Sequence, residues 1–240
     1  MLFPLDVPLS DHGPAVVLPD LVVFDLVGVL VPERPRLASC LAAALAAADI
    51  PVEDDNLAEL ITQPIRPGIS RLVSRRLRLA PEVSRPLVKV IAEDFNERVL
   101  QSLQTSPHIK LQPGAEILLT ELAADGIHIG IDSELDGALA TALIRRAGWA
   151  GTGLLEAVVG SDEVLAPRPG PGQIEEIRRR CGLQADATVI KVVATSSDAQ
   201  AALAARCHTI YSLTPEPIVG PTAVADLGDL AERILARDLI

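Results

Sequence analysis

Residues 21–30, LVVFDLVGVL, decide how the chain is read. The first half, Leu21–Asp25, is an unbroken apolar run ending in an acid, and Gly28 follows three residues later. Unbroken runs of this length belong to parallel strands buried on both faces, whereas half-exposed strands alternate. Similar runs fall at 127–131 and 188–193, with weaker ones at 155–159 and 208–212. Helical patterns separate or follow them at 113–124, 135–147, 171–181, 197–206 and 227–237. That alternation predicts an α/β fold with a Rossmann-like, doubly wound parallel sheet. Ligands of such sheets sit beyond the carboxyl ends of the strands, where Asp25 and Ser133 are expected.

Residues 35–108 break the alternation. They read as helix after helix, at 36–48, 54–61, 69–78 and 81–103, punctuated by Pro51, Gln63-Pro64 and Pro67-Gly68. An all-helical block inside an α/β chain predicts an inserted cap. The core is then 21–34 together with 109–240, and residues 1–20 form a Pro-rich arm.

The 240 residues carry a formal charge of −11 and only five aromatics, one Trp, one Tyr and three Phe. Phosphate-backbone binding needs clustered cations and base stacking needs aromatic platforms, so a nucleic-acid partner is not expected. No apolar run reaches the ~18 residues of a membrane span. The opening residues lack a basic segment before an apolar one, so no secretory signal is read and a cytoplasmic location is expected. Cys40, Cys181 and Cys207 are odd in number and far apart, which fits neither a disulfide framework nor a structural zinc motif. The four His residues are scattered without ligand-like spacing.

Four segments carry chemistry when taken together: 24–30 (FDLVGVL), Ser133 after the second strand, 159–164 (VGSDEV) leading into PRP at 167–169, and 191–198 (KVVATSSD). Their order and spacing resemble the haloacid dehalogenase superfamily, and within it the phosphonoacetaldehyde hydrolase-like branch. The likeness runs from about residue 20 to 235 and includes the position of the cap. It implies that Asp25 is the nucleophile, Ser133 holds the group under attack, Arg168 is the cation of the third motif and Asp198 is the second acid of the fourth. It also implies a turn at Val27 and Gly28 that meets the substrate.

Two departures matter. Val27 stands where phosphatases of the family carry a second acid, and Ala194 stands where the family has its direct magnesium ligand. Arg66 falls near the Schiff-base lysine of the related cap, and a guanidinium, which stays protonated, cannot form that imine. Mg²⁺ binds through one or two carboxylates plus substrate phosphate, so at most a weak Mg²⁺ site is expected and no cofactor is assigned. The expected partner is a small molecule with an anionic or polar group, gripped by Arg66 and Arg168; a homodimer stays open.

Each residue also has a plainer reading. Asp25 can cap its own turn, and Ser133 can cap the helix that follows it. Asp198 at a helix start suits the dipole, and Arg168 can simply pair with Asp25. Asp132 and Glu134 read as surface residues. The expected function is a metal-independent enzyme using Asp25 for hydrolysis, cyclisation or elimination; the alternatives are a catalytically silent binding protein and a weak Mg²⁺-dependent phosphatase.

Overall fold

The computed structural model describes residues 18–50, 52–106, 109–214 and 218–235. Most of the arm expected at 1–20 lies outside them. The elements, in chain order, are β1 (Leu21–Asp25), α1 (Arg34–Ala47), α2 (Asp54–Leu60), α3 (Ile65–Leu77), α4 (Pro81–Thr105), α5 (Ala115–Ala124), β2 (His128–Asp132) and α6 (Gly137–Arg146). They continue with β3 (Ala157–Val159), α7 (Gly172–Arg180), β4 (Val189–Val193), α8 (Ser196–Ala204), β5 (Thr209–Ser212), β6 (Thr222–Ala223) and α9 (Leu227–Leu235).

The six strands form one sheet in the order β3-β2-β1-β4-β5-β6, with every pairing parallel. This is the α/β architecture the sequence predicts. Val22 and Phe24 on one face of β1 and Leu21 and Val23 on the other are all fully buried, in two separate apolar clusters. Helix layers on both faces therefore explain why the strand is apolar without alternation. β1 lies at the middle of the sheet, between β2 and β4, where the strand order reverses direction. Its carboxyl end faces the crevice that such a reversal opens.

Helices α1–α4 lie between β1 and α5 in the chain. The third starts at Ile65, four residues before the expected start, because Pro67 falls in its first turn. Proline is tolerated there, since the amide hydrogens of a first turn have no partner inside the helix. Two contacts fix this helix to the core. The amide of Ile65 donates to the Glu134 carbonyl at 3.3 Å. Arg66 donates through Nε and Nη2 to Asp136 Oδ2 at 3.0 and 2.9 Å, and Asn96 of α4 reaches the same oxygen at 3.0 Å.

Candidate functional site

The register of the sheet sets the site. Asp25 ends β1 level with Asp132 at the end of β2, and laterally paired residues of a sheet project from the same face. Two carboxylates, 1% and 0% exposed, are thereby brought side by side away from water. Unpaired, that arrangement costs several kcal/mol per ion. Arg168 answers it: Nη1 lies 2.9 Å from Asp25 Oδ1, Nη2 2.6 Å from Asp132 Oδ1, Nε 3.3 Å from Asp198 Oδ1, and Nη1 3.8 Å from Glu134 Oε2.

A second cation enters from β4. Lys191 is paired with Val23, two residues before Asp25 and so on the same face. Its Nζ lies 2.8 Å from Asp132 and 2.9 Å from Asp198. Gln173 braces the surrounding loops. Its amide donates to the carbonyls of Ser133 (2.7 Å) and Val159 (3.1 Å), and its oxygen accepts from the Arg168 amide at 3.4 Å.

Four carboxylates thus share two buried cations, and the excess negative charge shows in the titration. Burial, reinforced by the Asp25 charge, pushes Glu134 up to about 8. Burial pushes Asp198 up to about 7, although Arg168 and Lys191 oppose it. Burial also acts on Asp132, but Arg168 and Lys191 together outweigh it and hold that carboxyl below its ordinary range. For both cations burial is overcome by the surrounding acids, above all Asp132, so both stay firmly protonated. At neutral pH Glu134 is mostly neutral, and Asp198 titrates in the same range.

The residues singled out in the sequence divide into two groups. Asp25, Arg168 and Asp198 meet in the cluster. Asp198 begins near the start of α8, where its amide donates to Thr195 Oγ1 at 3.1 Å, but its side chain turns to Arg168 and Lys191. Ser133 lies beside the cluster and spends its hydroxyl locally, accepting from the Leu135 amide at 3.2 Å and reaching Glu134 at 3.5 Å. Level with Asp25 stands Asp132 instead. Arg66 does not join Arg168: it is committed to Asp136 at the start of α6, and that hydrogen bond raises its pKa. Val27 is fully buried. The expectation that Asp132 and Glu134 are surface residues fails, since both are buried. Lys191 was missed, yet a lone lysine within VIKVV can only be buried with a carboxylate partner.

A further cation, Arg34, stands over the turn after Asp25. Gly28 has φ +108°, and a Cβ there would lie 2.5 Å from Arg34 Nη2. Only glycine suits both the backbone angle and the close approach. The same Nη2 donates to the Ala194 carbonyl at 3.2 Å. Arg34, Thr195, Ser196 and Ser197, with Thr62 after α2 and Arg71 of α3, line a cavity of about 1100 Å³.

The residues do not fit the Mg²⁺ that this architecture implies. Such a cation needs carboxylate and carbonyl oxygens at about 2.0–2.1 Å. Position 194 offers a methyl group, its carbonyl accepts from Arg34, and Asp25 is paired with Arg168.

Residues 22–212 match the family model described as haloacid dehalogenase-like hydrolase. The chain is 27% identical over 227 residues to a phosphoglycolate phosphatase of Rhodospirillum rubrum, covering 89% of each protein. A hydrolase from Pseudomonas syringae superposes with a TM-score of 0.76 at 18% identity, over 91% of this chain and 99% of that one. CbbY from Rhodobacter sphaeroides, solved in complex with phosphate, gives 0.72 at 17% identity, over 88% and 96%. The curated relative is a phosphoglycolate phosphatase, and the expected phosphonoacetaldehyde hydrolase-like branch is not confirmed. The chain belongs to the haloacid dehalogenase-like hydrolase family.

Proposed function

We propose that the chain hydrolyses a small phosphorylated molecule held in the cavity between cap and core, with Asp25 as nucleophile and no bound divalent metal. The carrying observation is the cavity itself, with two arginines and a row of hydroxyls gathered beside the carboxyl ends of β1 and β4. Guanidinium groups and hydroxyls are suited to phosphate oxygens. The phosphatase relative and the phosphate-bound neighbour support that substrate class.

Without a metal, a carboxylate approaching a phosphate to ~4 Å is opposed by about 4 kcal/mol at an effective dielectric of 20. Arg34 offsets this repulsion on the substrate side, and Arg168 holds Asp25 in place. Asp25 attacks phosphorus, the bond to the leaving oxygen breaks, and the departing alkoxide takes a proton. Glu134, neutral below about pH 8, supplies that proton in place of the acid that Val27 lacks. Water then cleaves the acyl phosphate, releasing inorganic phosphate and restoring Asp25.

The test is phosphate release from a panel of phosphate monoesters, with and without EDTA. Turnover that survives EDTA and vanishes in Asp25→Asn is expected. Loss with EDTA, or full activity in a folded Asp25→Asn, sinks the reading. A second reading, a catalytically silent binder, is favoured by the near-complete burial of Asp25, which is absent from the cavity lining. It predicts that phosphate monoesters bind, weaken on Arg34→Ala, and are never turned over.

A further inference from the structure

At the opposite, amino-terminal end of the strands the fold gathers three residues that the proposed reaction does not use. His128 opens β2, Glu156 immediately precedes β3, and Cys181 caps the carboxyl end of α7. One ligand-type atom from each, an imidazole nitrogen, a carboxylate oxygen and the thiol sulfur, lies within 4.8 Å of the other two. The backbone holds them there. The Glu156 amide donates to the Ile129 carbonyl at 3.0 Å, placing Glu156 beside β2, and the Cys181 amide closes α7 on the Ile177 carbonyl at 3.0 Å. His128 Nδ1 already contacts Glu156 Oε2 at 2.5 Å.

We propose that His128, Glu156 and Cys181 form a site for a borderline-soft divalent cation, Zn²⁺ above all, independent of the Asp25 cluster. The donor set selects the metal. One nitrogen, one oxygen and one sulfur suit Zn²⁺, whose bonds run about 2.0–2.3 Å, whereas Mg²⁺ and Ca²⁺ take oxygen. Thiolate and carboxylate together carry two negative charges, which neutralise the ion. All three side chains are partly exposed, so the ion has an entry path and water completes the fourth position. A thiol binds such an ion as the thiolate, so the ion has to displace the thiol proton to the solvent. Metal loading accordingly releases a proton and strengthens as pH rises. Bound there, the ion ties α7 to the β2–β3 edge of the sheet.

The experiment uses the whole chain and Co²⁺ as an optical probe, followed by Zn²⁺. Co²⁺ is expected to give near-ultraviolet sulfur-to-metal charge-transfer absorption that Zn²⁺ abolishes by displacement. Cys181→Ser is expected to lose the band, Cys207→Ser to keep it, and His128→Gln to weaken Zn²⁺ binding by at least about tenfold. Circular dichroism confirms that each variant is folded. A folded wild-type protein with no such band overturns the proposal, as does a band that persists in Cys181→Ser or disappears in Cys207→Ser. Because the readout is a spectrum, it is untouched by the fate of the proposed phosphatase activity.

Discussion

Glu134→Gln isolates the proton that the buried cluster holds. Glutamine has nearly the shape of the neutral acid, so below the titration range the variant differs little from wild type. The folded carboxyl titrates at about 8, and an unfolded glutamate at about 4.3. Between those values the folded state keeps a proton that the unfolded state has lost. Stability from this group is therefore fully present below about pH 4.3, and it falls as pH rises toward 8, by about 1.4 kcal/mol per unit. Between pH 5 and 7 wild type should lose about 3 kcal/mol relative to Glu134→Gln, and above 8 the difference should level off. Urea denaturation of both proteins from pH 5 to 9 measures this, because subtraction removes the titrating groups remote from the cluster. Parallel stability profiles would refute the placement of a neutral carboxyl beside Asp25.

Lys191→Met should cost about 3–5 kcal/mol, since it strips Asp132 and Asp198 of a buried cation. Adding Asp198→Asn should recover part of that loss, and the denaturation midpoints of the two variants give the comparison. Ala194→Asp should not bind Mg²⁺ in titration calorimetry while Arg34 remains to pair with the new carboxylate. Ala194→Asp with Arg34→Ala should bind it, and tight binding by the single variant would show that Arg34 does not control this position.

The fold was legible because buried parallel strands are largely apolar, and β1 and β4 each hold a single charged residue among apolar ones. Asp25, Arg168 and Asp198 were legible because their spacing along the chain matches a known pattern. Asp132 and Glu134 were misread as surface residues, since acids after a strand are ordinarily solvated. The arrival of Arg168, 34 residues beyond Glu134, and of Lys191 against Asp132 makes their burial tolerable. Lys191 carried its own signal in an apolar strand, but its partners could not be named without the register of β1, β2 and β4. His128 and Glu156 are 28 residues apart in the chain; no local spacing announces them, and their meeting depends on the pairing of β2 with β3.

Arg34 is the first residue of α1, where the chain passes from β1 toward the cap, and its guanidinium rests on the core at Gly28 and Ala194. A swing of that helix would move a unit charge along with the protein wall. An anion in the cavity would be held by that charge, since Arg34 forms part of the lining. Added salt, with a Debye length near 8 Å at physiological strength, weakens that attraction, so anion affinity should fall as ionic strength rises.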